Sequence, residues 1–139
     1  MLYKLDLANI LFLDIETVPG NKAFSELSEE KRLLWEQKSK YQRKEEFTPE
    51  EYYDRAGIWA EFGKIICISV GYFTEKGKDR NFRVTSFYGD ENQLLKEFKN
   101  LLQEHFNQAK HLLCGHNGKE FDFPYIARRM LINGIKLPY

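Results

Sequence analysis

Apolar positions in Ile10-Leu11-Phe12-Leu13-Asp14-Ile15-Glu16-Thr17 run unbroken to Leu13 and then alternate with acids. Side chains alternate along a strand, so Leu11, Leu13 and Ile15 share one face and Asp14 and Glu16 the other. Val18-Pro19-Gly20 should stop this strand, because proline cannot continue a ladder and glycine permits a sharp turn. Residues 1–9 read as an edge or lead-in segment. Lys64 to Phe73 (KIICISVGYF) is apolar on both alternating faces, which predicts a strand buried on both sides. Thr74 to Arg80, with Gly77, reads as a hairpin turn, and Phe82 to Tyr88 as the return strand. Asp90 is placed to cap a helix, with Gln93 at the capping-box position. Leu94, Leu95, Phe98, Leu101, Leu102 and Phe106 then form one apolar stripe at helical spacing, the mark of a core face. His111 to Cys114 predicts a short strand, and Gly115 turns out of it. Pro124 is tolerated only in the first turn of a helix, so Asp122 lies at or just before the helix start. Ile126, Ala127, Met130 and Leu131 mark its expected buried face, and Asn133-Gly134 its end.

Residues 20–63 differ in character: they are highly charged and lack strand alternation. Ser28 before Glu29 and Glu30 is an N-cap with acids in the first turn. Thr48-Pro49-Glu50-Glu51 is a cap, a proline at the first helical position and an acid three residues on. The segment is therefore a helical insertion, with Leu27, Leu34, Lys38 and Tyr41 near one face. A connection of this length in a compact domain is often functional. Its aromatics (Trp35, Tyr41, Tyr52, Tyr53, Trp59, Phe62) either line a channel for bases or make a small satellite core. The satellite core is the simpler reading. The element order is strand, helical insertion, two strands, helix, strand, helix, which defines an α/β domain.

The chain has 139 residues, of which 42% are hydrophobic, which suits one domain with a real core. Formal net charge is zero, with 21 basic and 21 acidic residues intermixed, so no basic tail or stripe announces nucleic acid. An enzyme that releases its substrate each turnover can manage with local contacts and metal ions. No segment approaches the ~18 continuous apolar residues of a membrane span. The first ten residues contain Lys4 and Asp6 and lack a signal-peptide layout. Cys67 and Cys114 lie in apolar strand-like runs and are expected to be buried reduced thiols, which fits a cytoplasmic location.

Three acids carry the chemistry. Asp14 and Glu16 end one strand, and Asp122 opens a helix that follows another. Sites in parallel sheets form at the carboxyl ends of strands, so the three are expected to converge. Oxygen donors without a Cys or His partner favour hard cations, Mg²⁺ or Mn²⁺. Two such ions about 3.5–4 Å apart form the usual clamp for in-line phosphodiester cleavage. An Asp-x-Glu triplet alone is weak. It gains weight by ending an apolar strand, and again because Asn117-x-x-x-Phe121-Asp122 opens a helix about a hundred residues on.

Leu13-Asp14-Ile15-Glu16-Thr17 resembles the first motif of the DEDD superfamily of 3′–5′ exonucleases, and Gly115-His116-Asn117 through Phe121-Asp122 resembles its second. The spacing and the Phe-Pro-Tyr-Ile-Ala-Arg-Arg tail are most similar to the branch related to the proofreading domain of family B DNA polymerases. The resemblance covers the chain apart from the insertion. It implies a ribonuclease H-like mixed sheet with flanking helices. It also implies a two-ion 3′–5′ exonuclease acting on single-stranded DNA or frayed 3′ ends, with RNA or a non-catalytic binding module as alternatives. By the same resemblance Asp14 would bridge both metals, Glu16 would bind the water-activating one and Asp122 would hold the second. Asn117 would position the substrate strand, Phe121 would pack beneath the site or against the terminal base, and Thr17 would bond the terminal nucleotide. His116 is expected to be a partly buried structural histidine rather than a general base, and Arg128 and Arg129 a solvated helix face rather than phosphate contacts. The family pattern continues with a third motif, a Tyr or His followed by a fourth Asp, whereas Met130 to Tyr139 contain no acid. The expectation is a C-terminally truncated domain, weak or inactive alone, with a second copy of the chain as one candidate to cover the exposed edge.

Overall fold

The structure, a computed structural model, describes residues 4–138. The chain divides into two units: one runs to Glu16 and resumes at Ile65, and the other is Thr17–Lys64.

The first unit is built on strand β1 (Ile10–Pro19) as far as Glu16. Ile10, Leu11, Leu13 and Ile15 are buried, while Asp14 and Glu16 are exposed, as strand alternation requires. Pro19 is the strand's last residue, where it ends the ladder rather than interrupting it. The lead-in is a 3-10 turn, Leu7–Asn9, capped by Asp6, whose Oδ1 accepts the Ala8 N–H at 3.0 Å. Strands β2 (Gly63–Lys76) and β3 (Asp79–Tyr88) pair antiparallel with Lys76 opposite Asp79. The hairpin loop is therefore two residues, shorter than the expected turn over residues 74–80. Gly77 takes φ +63°, a conformation open to glycine. Strand pairing continues through the charged residues because Glu75 and Arg80 face each other across the ladder.

Strand β4 (Leu112–Cys114) runs parallel to β1, with Ile10 opposite Leu112, and the sheet order is β3-β2-β1-β4. Burial of β2 on both faces is realised only in its middle: Ile68, Val70 and Gly71 are buried, but Ile66 is 39% exposed. At the start of the strand only the face of Ile66 is open, since Ile65 is fully buried, and at the far end Glu75 and Lys76 are exposed. The two edge strands are open to solvent. Cys114, on the edge strand β4, is accordingly exposed, and Cys67, on the inner strand β2, is half-buried; both are free, which corrects the expectation of two buried thiols.

Helix α3 (Glu91–His105) in this unit packs on β3 through Phe98 against Phe87. Asp90 caps it by accepting the Gln93 N–H at 3.1 Å. The Gln93 side chain donates to Glu97. Leu94, Leu95 and Phe98 are buried, each worth about 1.5–3 kcal/mol of apolar transfer. Helix α4 (Asp122–Ile132) carries Pro124 in its first turn. Its buried stripe is Asp122, Tyr125, Ile126 and Met130, at the i, i+3, i+4, i+8 spacing of one helix face. Leu131 falls off that stripe and is 62% exposed, contrary to expectation. The helix closes with a Schellman motif: Gly134 N–H donates to the Leu131 carbonyl and Ile135 N–H to Met130, with Gly134 at φ +72°.

Arg129 is not part of a solvated face. Its Nε donates to both Glu91 carboxylate oxygens at 3.0 and 3.1 Å, and only 12% of its side chain is exposed. Glu91 also accepts Asn133 Nδ2 and the Ile65 N–H. Burial alone would raise the Glu91 carboxyl. The bonds from Arg129, Asn133 and Ile65, with the guanidinium charge, outweigh it and hold the group below its ordinary value.

The second unit holds α1 (Glu29–Arg43), α2 (Pro49–Tyr52) and a 3-10 stretch over Tyr53–Ile58. Ser28 caps α1 through Lys31 N–H, and Thr48 and Glu51 form a complete capping box. The buried positions of α1 are Trp35 and Ser39, not Leu34 and Tyr41, which are 41% and 88% exposed. The larger indole sets the face: Trp35 meets Tyr52, Tyr53, Trp59 and Phe62 at ring-centroid distances of 5.1–6.1 Å. Its Nε1 donates to the Pro49 carbonyl at 2.8 Å. With Leu27 and Ala56 these rings form a satellite core. A bond from Gly20 N–H to the Phe62 carbonyl, at 2.7 Å, ties the two ends of the unit together.

Candidate active site

The site lies where β1 presents its acids and the β4–α4 loop passes beside it, all within the first unit. Gly115 makes this approach possible. A Cβ there would stand 3.2 Å from the Leu13 carbonyl oxygen and 3.6 Å from Asp122 Oδ2. The loop then turns: Gly118 N–H donates to the Gly115 carbonyl, and Asn117 adopts a left-handed φ of +53°. The Asn117 carbonyl accepts from Glu120 and Phe121 N–H, starting the chain into α4. Gly118 lies under the Phe123 ring, where a Cβ would be 2.7 Å from Cζ.

Asp122 is thereby buried, with 3% of its surface exposed. Its carboxyl is pushed above the usual carboxylate range, first by burial and then by the negative charge of Asp14. Backbone N–H bonds from Asp122 itself and from Ile15, together with the nearby His116, oppose the rise. The Ile15 amide lies between Asp14 and Glu16 in sequence, so the helix acid is tied to the strand that carries the other two. The structure brings Asp14 and Asp122 into electrostatic contact. Glu16 is exposed, two residues further along the same strand face. Among the described residues no three His, Cys, Asp or Glu side chains are gathered tightly enough to hold a metal ion as they stand.

Of the remaining candidates, Asn117, Phe121, His116, Arg128 and Arg129 belong to the first unit and Thr17 to the second. Asn117 is exposed, and Phe121 is half-buried with its ring 5.4 Å from Tyr125. Thr17, next along β1, is half-buried. His116 is exposed, not partly buried, and lies near enough to Asp122 to act on its carboxyl. Arg128 is exposed, while Arg129 is engaged with Glu91. Sequence reasoning read Gly115 only as a turn out of β4 and missed the close packing of Gly115 on β1 and of Gly118 under Phe123. The Gly115-x-x-Gly118 spacing was the available signal.

The donor set is oxygen alone, and its buried member is short of positive charge, which fits a hard divalent cation. A mixed four-stranded sheet with an Asp-x-Glu strand beside a helix that opens on aspartate defines the ribonuclease H-like exonuclease class. A family model described as the exonuclease domain of DNA polymerase family B matches residues 6–139, and the chain belongs to that family. No curated protein matches the chain.

Proposed function

We propose that the chain removes nucleotides from the 3′ end of single-stranded DNA by metal-dependent hydrolysis. The observation that carries this reading is Asp122. It is a buried carboxylate, anchored by a strand amide and repelled by Asp14, in a family whose domain is an exonuclease. Such a group is costly unless a cation is close. Asp14, Glu16 and Asp122 would hold Mg²⁺ or Mn²⁺, two ions in all. Bound there, the ions supply a water of lowered pKa and positive charge for the leaving oxygen. The residues do the positioning. Ile15 N–H fixes the Asp122 carboxylate, Asn117 orients the substrate strand, Phe121 packs against the terminal base and Thr17 bonds the terminal nucleotide.

The test is degradation of a 5′-labelled single-stranded oligonucleotide with Mn²⁺, at protein stoichiometric with DNA, with Asp14→Ala as the blank. A ladder shortening from the 3′ end, absent in the variant, supports the reading. Intact oligonucleotide after long incubation, or equal cleavage by Asp14→Ala, overturns it. An RNA copy of the oligonucleotide reads the preference at the 2′-hydroxyl.

A further inference from the structure

Away from the acids, the first unit has a groove between α3 and the segment that follows α4. Asn92, Lys96, Lys99, Asn100 and Gln103 line one wall, at the i, i+4, i+7, i+8 and i+11 spacing of one helix flank. Asn133 to Lys136 form the other. The turn at Gly134 sends Ile135 back into the core, 6% exposed, and leaves Lys136 exposed on the groove wall. Asn92 Nδ2 donates to the Asn133 carbonyl at 3.3 Å, and Asn133 Nδ2 donates to Glu91 at 2.9 Å, so the two walls are joined. The groove holds about 410 Å³, within the range of small-ligand sites. Helix α4 spans 11 residues, roughly 16 Å, and has Asp122 at its start and the groove at its end.

The charge in the groove is of one sign. Three of its lining residues are lysines, four carry side-chain amides and none is an acid. The chain as a whole has 21 acids for 21 bases. The positions three and four from Lys96 are Asn92, Gln93, Lys99 and Asn100, and those from Lys99 are Leu95, Lys96, Leu102 and Gln103. Neither lysine therefore has a carboxylate within helical reach, and the two repel each other at i, i+3. Among the described residues neither is in an ion pair. Glu97 and Glu104 fall on the opposite flank of α3, where Glu97 accepts from Gln93. The carbonyls at the end of α4, which would repel an anion, are taken. Arg129 accepts from Asn133, Met130 from Ile135, Leu131 from Gly134 and Asn133 from Asn92.

We propose that this groove binds a compact polyphosphate, free or as the tail of a nucleoside triphosphate. Lysine meets phosphate as a point charge with three donors. Three lysines around one groove match several negative charges held in a small volume, and a phosphate between Lys96 and Lys99 turns their repulsion into attraction. The exposed amides of Asn100 and Gln103 add neutral donors beside it. A strand of nucleic acid would call for cations in file, whereas these converge on one place.

The test is calorimetric titration of the full chain with sodium tripolyphosphate, in EDTA and at low salt. Lys96→Gln, Lys99→Gln and Lys136→Gln each weaken binding about 5- to 10-fold, the scale of one hydrogen bond to a charged group. Glutamine forms helix about as readily as lysine, and Lys96 and Lys136 are exposed and Lys99 half-buried, so the fold is kept. Lys110→Gln removes the same charge from an exposed position outside the groove and leaves the affinity unchanged. Deoxyadenosine triphosphate separates the two sources, and either result upholds the groove. Affinity equal to that of tripolyphosphate assigns it to the phosphates alone; tighter binding that Asn100→Ala abolishes assigns it to a nucleotide. Absence of binding by both anions, or a loss in Lys110→Gln as large as in Lys96→Gln, overturns the proposal. A deoxythymidylate 12-mer whose binding falls in the three groove variants, with tripolyphosphate binding unmoved, overturns it too and gives the groove to a nucleic-acid backbone. The acid pair takes no part in a measurement without metal, so the outcome is independent of the cleavage reading.

Discussion

Asp122 accepts the N–H of Ile15 and feels the charge of Asp14, the residue before it on β1. One strand therefore both anchors the helix acid and repels it. Burial and the Asp14 charge together raise the Asp122 carboxyl above its ordinary 3.8. Between the ordinary and the raised value, the folded chain holds a proton that the unfolded chain has released. Folding stability therefore falls as pH rises through that window and stays lowered above it. Asp122→Asn removes the penalty and keeps an acceptor for the Ile15 amide. The variant should melt above the wild type at pH 7, and the gap should close near pH 3. A lower melting temperature for the variant at pH 7 would refute this account.

A cation between the acids acts on the same balance from the other side. Mn²⁺ binds the folded chain and stabilises it by about 2.7 kcal/mol at a hundred times its dissociation constant, which for a domain near this size is several degrees of Tm at roughly 2–4 °C per kcal/mol. Asp14→Ala and Glu16→Ala should lose most of the Mn²⁺-dependent rise; without metal, Glu16→Ala should melt near the wild type, its side chain being exposed, and Asp14→Ala above it, because the charge that repels Asp122 is gone. A differential scanning series with and without EDTA measures it. An undiminished rise in both variants would place the cation elsewhere.

Much of this could be read before the fold was in hand. Alternation alone separated Asp14 and Glu16 from Leu11, Leu13 and Ile15, because burial of one strand face enforces the register. Pro124 fixed the start of α4, since its ring is tolerated only in a first turn. The errors have physical causes too. Cys114 lies in an apolar run, but β4 is an edge strand, and no local pattern reports which strand is left at an edge. Leu34 and Tyr41 fitted a helical stripe, but the Trp35 indole had more surface to bury and turned the helix its way. Arg129 read as solvated because its partner, Glu91, is 38 residues away. The close approach of Gly115 to β1 is a tertiary fact that only spacing hinted at.

Arg129 and Glu91 give a prediction of opposite sign to that of Asp122. The pair is about nine-tenths buried on both sides. Removing one member strands a charge, so Arg129→Ala should cost about 3–5 kcal/mol of folding stability. Glu91→Gln keeps an acceptor for the Ile65 N–H and should cost less. Glu91 is held below its ordinary 4.5, so in the window beneath 4.5 the unfolded chain binds a proton that the folded chain refuses. Stability is then lost as pH falls through that window. Denaturant melts at pH 7 and pH 3.5 should show wild type losing more stability than Arg129→Ala does. Equal losses would show that the guanidinium does not set the carboxylate.

Trp35 tests whether the second unit has a core of its own. Its side chain is fully buried among Tyr52, Tyr53, Trp59 and Phe62, and its indole N–H is bonded to the Pro49 carbonyl. Trp35→Ala removes the hub of that cluster and should cost about 3–5 kcal/mol, the range for large aromatic truncations. Trp35→Phe keeps most of the packing, loses the bond and should cost on the order of 1 kcal/mol. Hydrogen exchange resolves where the cost falls. Amides of Glu29–Arg43 and Tyr53–Ile58 should lose protection in Trp35→Ala, because their only buried ring contacts among the described residues run through this cluster. Amides of β1 from Ile10 to Glu16 and of α3 should keep theirs, since Leu11, Leu94 and Phe98 are buried without help from Trp35. Loss of protection across β1 and α3 together with α1 would mean that the two units unfold as one cooperative body.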